Sequence, residues 1–122
     1  MPDHRQFSIE EANALLPEVE RVTAAAARRF ADLEAAETNS AEEAQVIAQR
    51  RQAVAEDWAR AVVALGVRPK GLFVVDFVSR GDPSVLYCWA YGEPRVAHQH
   101  RETETYEDRV PIPGWGLRET VQ

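Results

Sequence analysis

The chain has 122 residues, 45% of them hydrophobic and 28% charged, which fits one globular domain with one core and excludes wholesale disorder. Its formal net charge of -6 weighs against nucleic acid and against a membrane surface, because both partners require a surplus of cations. The lone Cys88 excludes an intrachain disulfide, Met1-Pro-Asp-His-Arg-Gln6 lacks the apolar stretch of a signal peptide, and no apolar run suits a bilayer, so a cytoplasmic protein is expected.

Ser8-Ile-Glu-Glu11 predicts a helix start. The Ser8 hydroxyl accepts from the Glu11 amide while Glu11 reaches back, and Phe7 is placed to staple onto Ala12. Leu15, Val19, Val22, Ala26, Phe30 and Leu33 then recur three or four apart, on one helical face. Pro17 falls inside this pattern and removes a backbone donor. Either it kinks the helix or displaces its start, or it is tolerated within the first turns. Thr38-Asn-Ser40 breaks the pattern, and Ser40-Ala-Glu-Glu43 is a second capping box, so the chain turns back on itself. The second helix carries Ile47, Val54, Trp58, Val62 and Leu65 on one face and spaces Glu56 and Arg60 as an ion pair, and Gly66 stops it. Arg28-Arg29 and Arg50-Arg51 are read as solvated helix faces. Arginine in place of lysine almost throughout, Lys70 excepted, together with abundant alanine, is read as the bias of a GC-rich bacterial genome.

After Val67-Arg-Pro-Lys70 the period changes. Leu72 to Phe77 and Val85 to Ala90 are short runs of strand formers separated by the turn cluster Ser79-Arg-Gly-Asp-Pro-Ser84. Arg95 to His100 is a third strand, reached through Tyr91-Gly-Glu-Pro94. Pro111-Ile-Pro-Gly-Trp-Gly116 cannot sustain a ladder and reads as extended coil, with Trp115 a docking anchor. The expected architecture is α+β, a single domain over residues 1–122. An antiparallel helical hairpin at 7–66 is followed by a small three-stranded antiparallel β-meander with an extended tail at 71–113.

The chemistry falls in the second half. Period-two alternation puts Asp76 on the face of Leu72 and Val74, and if that face is buried the carboxylate needs Arg109, a metal or backbone amides; otherwise it points to solvent. His98 and His100 share one strand face at a spacing suited to a divalent metal. With Gly92 and Glu104 they are similar to the first metal motif of cupins, but Pro111 stands where that motif has glycine, and the remaining β-forming sequence is too short for a jelly roll. Cys88 joins the histidines in one register only. A two-residue Gly92-Glu93 turn pairs it with Ala97, on the opposite face, whereas a Gly92-Glu93-Pro94 loop sets Cys88 across from His98 and Leu86 across from His100. A buried cysteine between Tyr87 and Trp89 is more often a small hydrophobe, and a cysteine–histidine nucleophile has no oxyanion hole here to support it.

Glu11-Ala-Asn-Ala-Leu-Leu-Pro17, Val75-Asp-Phe77, Cys88-Trp89, Gly92-Glu93, His100 and Arg109-Val-Pro111 together make the chain resemble domain-of-unknown-function family 2203, a set of small bacterial proteins. The resemblance covers nearly the whole chain. It departs at Phe73, where the family has glycine, at Val78 for proline, at Gln99 for the tryptophan before His100, and at Glu107-Asp108 before Arg109. The family implies no established activity. It does imply that Asp76, Glu93, His100 and Arg109 form one polar cluster with Cys88-Trp89 nearby, and it leaves His98 outside.

Two readings follow. In the first, the helical stripes pair with a second chain as a non-enzymatic homodimeric interaction module, in the manner of a four-helix bundle. In the second, Asp76, Glu93, His100 and Arg109 form a divalent-metal or small-ligand site, catalytic or not, with His100, Asp76 and Cys88 the candidate ligands of zinc, manganese or iron. A purely structural role for the cluster, fixing the tail to the sheet, stands beside both.

Overall fold

The computed structural model describes residues 5–115; the expectations made for the opening residues and for Gly116 lie outside that range. β1 (Gln6–Phe7) leads into α1 (Ile9–Ala35) and α2 (Ala41–Ala64), followed by β2 (Arg68–Gly71), β3 (Val74–Ser79), β4 (Val85–Ala90), β5 (His98–Arg101), a 3-10 turn (Tyr106–Asp108) and β6 (Val110–Pro111).

The start of α1 is as its sequence dictates. The Glu11 amide donates to Ser8 Oγ at 3.0 Å and the Ser8 amide to Glu11 Oε1 at 2.9 Å, with Phe7 and Ala12 both buried behind the box. Pro17 is tolerated within an unbroken helix. One turn earlier, Asn13 fastens the helix to the loop between β4 and β5. Its Nδ2 donates to the Ile9 and Val96 carbonyls, and its Oδ1 accepts from the Val96 amide at 2.9 Å.

At α2 the Ser40 hydroxyl caps the Glu43 amide, but the Glu43 carboxylate turns to the Asn39 amide instead of closing a reciprocal box. Arg60 pairs with Asp57 and Gln52 donates to Glu56, so the expected Glu56–Arg60 pair does not form. The nearer acid, three residues back, wins the guanidinium on an exposed face where neither pairing is worth much. Between the helices, buried Trp58 Nε1 donates to Thr23 Oγ1 at 2.8 Å.

Gly66 ends α2 as predicted. Its φ of +90° lets its own amide reach the Val63 carbonyl and the Val67 amide reach Val62, a Schellman closure with Val62 and Val67 both fully buried. A Cβ here would also fall 2.4 Å from Arg5 Cδ. Gly66→Ala is therefore expected to lower stability by about 1–2 kcal/mol, the cost of a left-handed alanine. An unchanged urea midpoint would remove this account of the cap.

The sheet is larger than a three-stranded meander and is not purely antiparallel. β3 pairs antiparallel with β4, which pairs with β5 and through it with β6. On its other side β3 receives two strands in succession, β2 antiparallel at Val74–Asp76 and β1 parallel at Val78 and Ser79. The added strands were hidden for physical reasons. β1 and β6 have two residues each, too few for a period, and Arg68-Pro69-Lys70-Gly71 lacks strand formers and reads as a turn. The tail is likewise not plain coil. Val110 and Pro111 pair with β5, and the Ile112 amide donates to Ala97.

Strand limits shift too. β3 starts at Val74 because Leu72 and Phe73 form the tight turn from β2, which takes Leu72 off the face of Asp76. Phe73 adopts φ of +61°, and its ring packs edge-on against Phe30 and Trp58. β5 starts at His98, not Arg95.

Alternation divides the sheet into two faces. Val75, Phe77 and Trp89 join Phe7, Val19, Val54, Trp58 and Val62 in the core beneath the helices. Asp76, Leu86, Cys88, His98 and His100 occupy the opposite face. That second face holds the chemistry.

Candidate functional site

Three adjacent strands present the polar residues. Asp76 on β3 lies directly opposite Cys88 on β4, which lies opposite His98 on β5, with His100 across from Leu86. This is the register that sets Cys88 among the histidines. It is reached through a longer connection than the expected Gly92-Glu93-Pro94 loop, because Tyr91 to Ala97 carry no strand, and Val96 within it is held by Asn13.

The segment after β5 closes over this face. The Glu102 amide donates to Ser84, Arg68 approaches Glu102, and Lys70 Nζ donates to the Glu104 carbonyl at 3.2 Å, tying the segment back to β2. Asp76, Cys88 and His100 are accordingly buried, at 3%, 0% and 2% exposure.

Asp76 finds His100, not Arg109. Nε2 of the imidazole lies 2.9 Å from Asp76 Oδ1, and Nδ1 lies 2.8 Å from the Arg101 carbonyl. A carbonyl only accepts, so Nδ1 carries a proton. A second proton must then lie between Nε2 and Oδ1, whichever atom holds it, and the pair as a whole is neutral. Burial, with the charge of Asp76 close by, pushes the Cys88 thiol up to about 12. At neutral pH it is a thiol, which argues against a metal-free cysteine nucleophile.

Arg109 instead grips Glu93. Its guanidinium donates to both carboxylate oxygens, at 3.1 and 2.8 Å, donates to Tyr106 Oη and lies 4.1 Å over the Tyr106 ring. Glu93 Oε1 also accepts from the Ala90 amide, and the Glu93 carbonyl accepts from Trp89 Nε1. Burial pushes the Glu93 carboxyl upward, but the bonds from Arg109 and Ala90 outweigh it and hold the group below its ordinary value. His98 Nδ1 stands 4.0 Å from Glu93 Oε2, too far for a hydrogen bond, and has no hydrogen-bond partner among the described residues. Burial and then Arg109 lower the His98 pKa against the pull of Glu93, which favours the neutral ring.

The expected single cluster of Asp76, Glu93, His100 and Arg109 is therefore two separate pairs, with Cys88 close to Asp76 of one and Arg109 of the other. Sequence reasoning missed Tyr106 and the Arg101 carbonyl. Tyr106 had a signal, an aromatic three residues from Arg109, whereas a backbone acceptor leaves none. Glu104 accepts from the Arg101 amide, and the single sheet is not the jelly roll that the cupin-like spacing would require.

The donor set is nevertheless suited to a cation. Among the described residues, Asp76, Cys88 and His100 are the one group of three whose ligand atoms all lie within 4.8 Å of one another. A hollow of about 240 Å³ is bordered by one of the three, His100, together with Gln99, Arg101 and Asp108.

The sequence matches the family described as an uncharacterized conserved protein, DUF2203, over residues 5–112, which includes every strand and both helices. The chain belongs to the DUF2203 family. Comparison with curated proteins and with solved structures gives no match. Among the described residues of this DUF2203 protein no helix is long and apolar enough to cross a membrane. Its fold combines a helical hairpin with a mixed sheet; the buried Asp76–His100 pair lies on the sheet face away from the helices, and the half-buried Glu93–Arg109 pair joins the loops beside it.

Proposed function

We propose that this DUF2203 chain binds a divalent transition metal through Asp76 Oδ, Cys88 Sγ and His100 Nε2. The observation that carries the reading is the convergence of these three donors on one buried sheet face, within 4.8 Å of one another, with His100 Nδ1–H already donated to a backbone carbonyl. That second hydrogen bond is the usual orienting device of a metal-bound imidazole. A thiolate, an imidazole and a carboxylate favour zinc, then iron, and the sulfur places manganese last. Charge supports the choice. With Asp76 and Cys88 ionised, a divalent ion leaves the site neutral, and the adjoining Glu93–Arg109 pair is neutral as well. A free thiolate ligand suits a reducing compartment, consistent with the cytoplasm.

Three protein ligands leave a fourth position, and the hollow beside His100 is where a water or a small anion would enter. Glu93 and Arg109 hold the covering segment in place instead of ligating.

The test is cobalt titration of chelator-treated protein prepared without a metal-affinity column. Stoichiometric cobalt with a sulfur-to-metal charge-transfer band is expected, the band absent in Cys88→Ser and binding weakened at least a hundredfold in His100→Ala. A chain that takes up no stoichiometric cobalt or zinc, or one whose binding survives both substitutions, would sink the proposal.

A further inference from the structure

The outer part of the helical hairpin is unexplained by the metal reading. The last buried residue of α1 is Ala26 and the first of α2 is Val54. Everything between projects as a two-helix arm with Leu33 and Ile47 only half-covered and Val46 44% exposed. Two shallow hollows, of about 400 and 480 Å³, flank this apolar band.

Charge along the arm is sorted, with Asp32 the one exposed acid between the two zones. Nearer the sheet lies a basic belt of Arg28, Arg29, Arg50 and Arg51, none of which makes an ion pair or hydrogen bond among the described residues. At the tip lie Glu34, Glu37, Glu42 and Glu43, all exposed, with no basic residue in the last turn of α1. Acidic groups suit the start of α2 but oppose the dipole at the end of α1, where a cation belongs and the last turn carries none.

Belt, apolar band and tip make a surface complementary to itself under a two-fold axis. Placed antiparallel, two arms bring each acidic tip onto the partner's basic belt with the apolar bands in contact. A parallel arrangement sets like charge on like. We infer that a second copy of this chain docks antiparallel along the arm, forming a short four-helix bundle in which the partner's arginines neutralise the tip around Glu34 and Glu37.

A face of this extent lies at the small end of stable interfaces, so association in the micromolar range that weakens with salt is expected. Sedimentation equilibrium at tens of micromolar should show a dimer at low ionic strength. A belt variant, Arg29→Glu with Arg50→Glu, and a tip variant, Glu34→Arg with Glu37→Arg, change only exposed side chains that make no hydrogen bond or ion pair among the described residues, and helicity by circular dichroism checks that each folds. Each alone should self-associate at least tenfold more weakly. Mixed together they should form a heterodimer, since every belt then meets a tip of opposite sign. A wild-type chain that stays monomeric, reversals without effect on association, or a mixture that fails to pair would each overturn the inference.

Discussion

Metal binding is expected to release two protons, so that apparent zinc affinity climbs about a hundredfold per pH unit wherever both are still held by the free protein. The first comes from Cys88, whose thiol, pushed up to about 12, is protonated throughout the working range and must ionise to ligate. The second is the proton between His100 Nε2 and Asp76 Oδ1, which a cation bound to both atoms displaces. Each contributes about tenfold per unit, in the sense that raising pH strengthens binding. Titration calorimetry in buffers of different ionisation enthalpy counts these protons directly. The slope should fall to about tenfold in Cys88→Ala along with the affinity. Zinc uptake without proton release would mean that other atoms hold the ion.

This exchange preserves neutrality. A thiol and a proton-sharing pair carry no net charge, nor do a thiolate, a carboxylate and a divalent ion, so the closed face need not open to balance charge when metal enters.

The second large effect is expected at Arg109. Arg109→Ala removes two bonds to Glu93 and the stacking on Tyr106, leaving a largely buried carboxylate with the Ala90 amide as its remaining hydrogen-bond donor among the described residues. Breaking a buried ion pair costs about 3–5 kcal/mol, and because both side chains keep some exposure we expect about 2–3 kcal/mol in urea unfolding. The sign of the pH dependence follows from the depressed Glu93 carboxyl. Its contribution is present above the ordinary value of 4.5 and is lost as pH falls through the lower folded value, so the deficit of the variant should shrink in acid. A deficit that persisted unchanged in acid would show that lost packing, not charge, was responsible.

Features set by neighbours in sequence were legible. Ser8 and Glu11 cap one another and Gly66 closes α2 because those interactions span a few residues whose types are diagnostic. The place of Asp76 in an apolar run left burial and a solvent-facing position as alternatives; the structure buries it, and its partner was not legible at all. Choosing His100 over Arg109 depends on the path of the segment after β5, which is fixed by side chains such as Lys70 and Arg68 that are distant in sequence. Likewise β1 and β2 exist because β3 offers an unpaired edge and the helices deliver them to it. Their own residues announce nothing.

Those short outer strands also govern how the protein avoids sticking to itself in the wrong way. One border of the sheet is shared between two residues of β1 and the Pro69-Lys70 pair of β2, and the other ends at Pro111. Proline and lysine on a border discourage a foreign strand from zipping on, so sheet-to-sheet aggregation has no long template. The proposed docking of a second copy would thereby fall to the helices, where charge can make it specific and reversible.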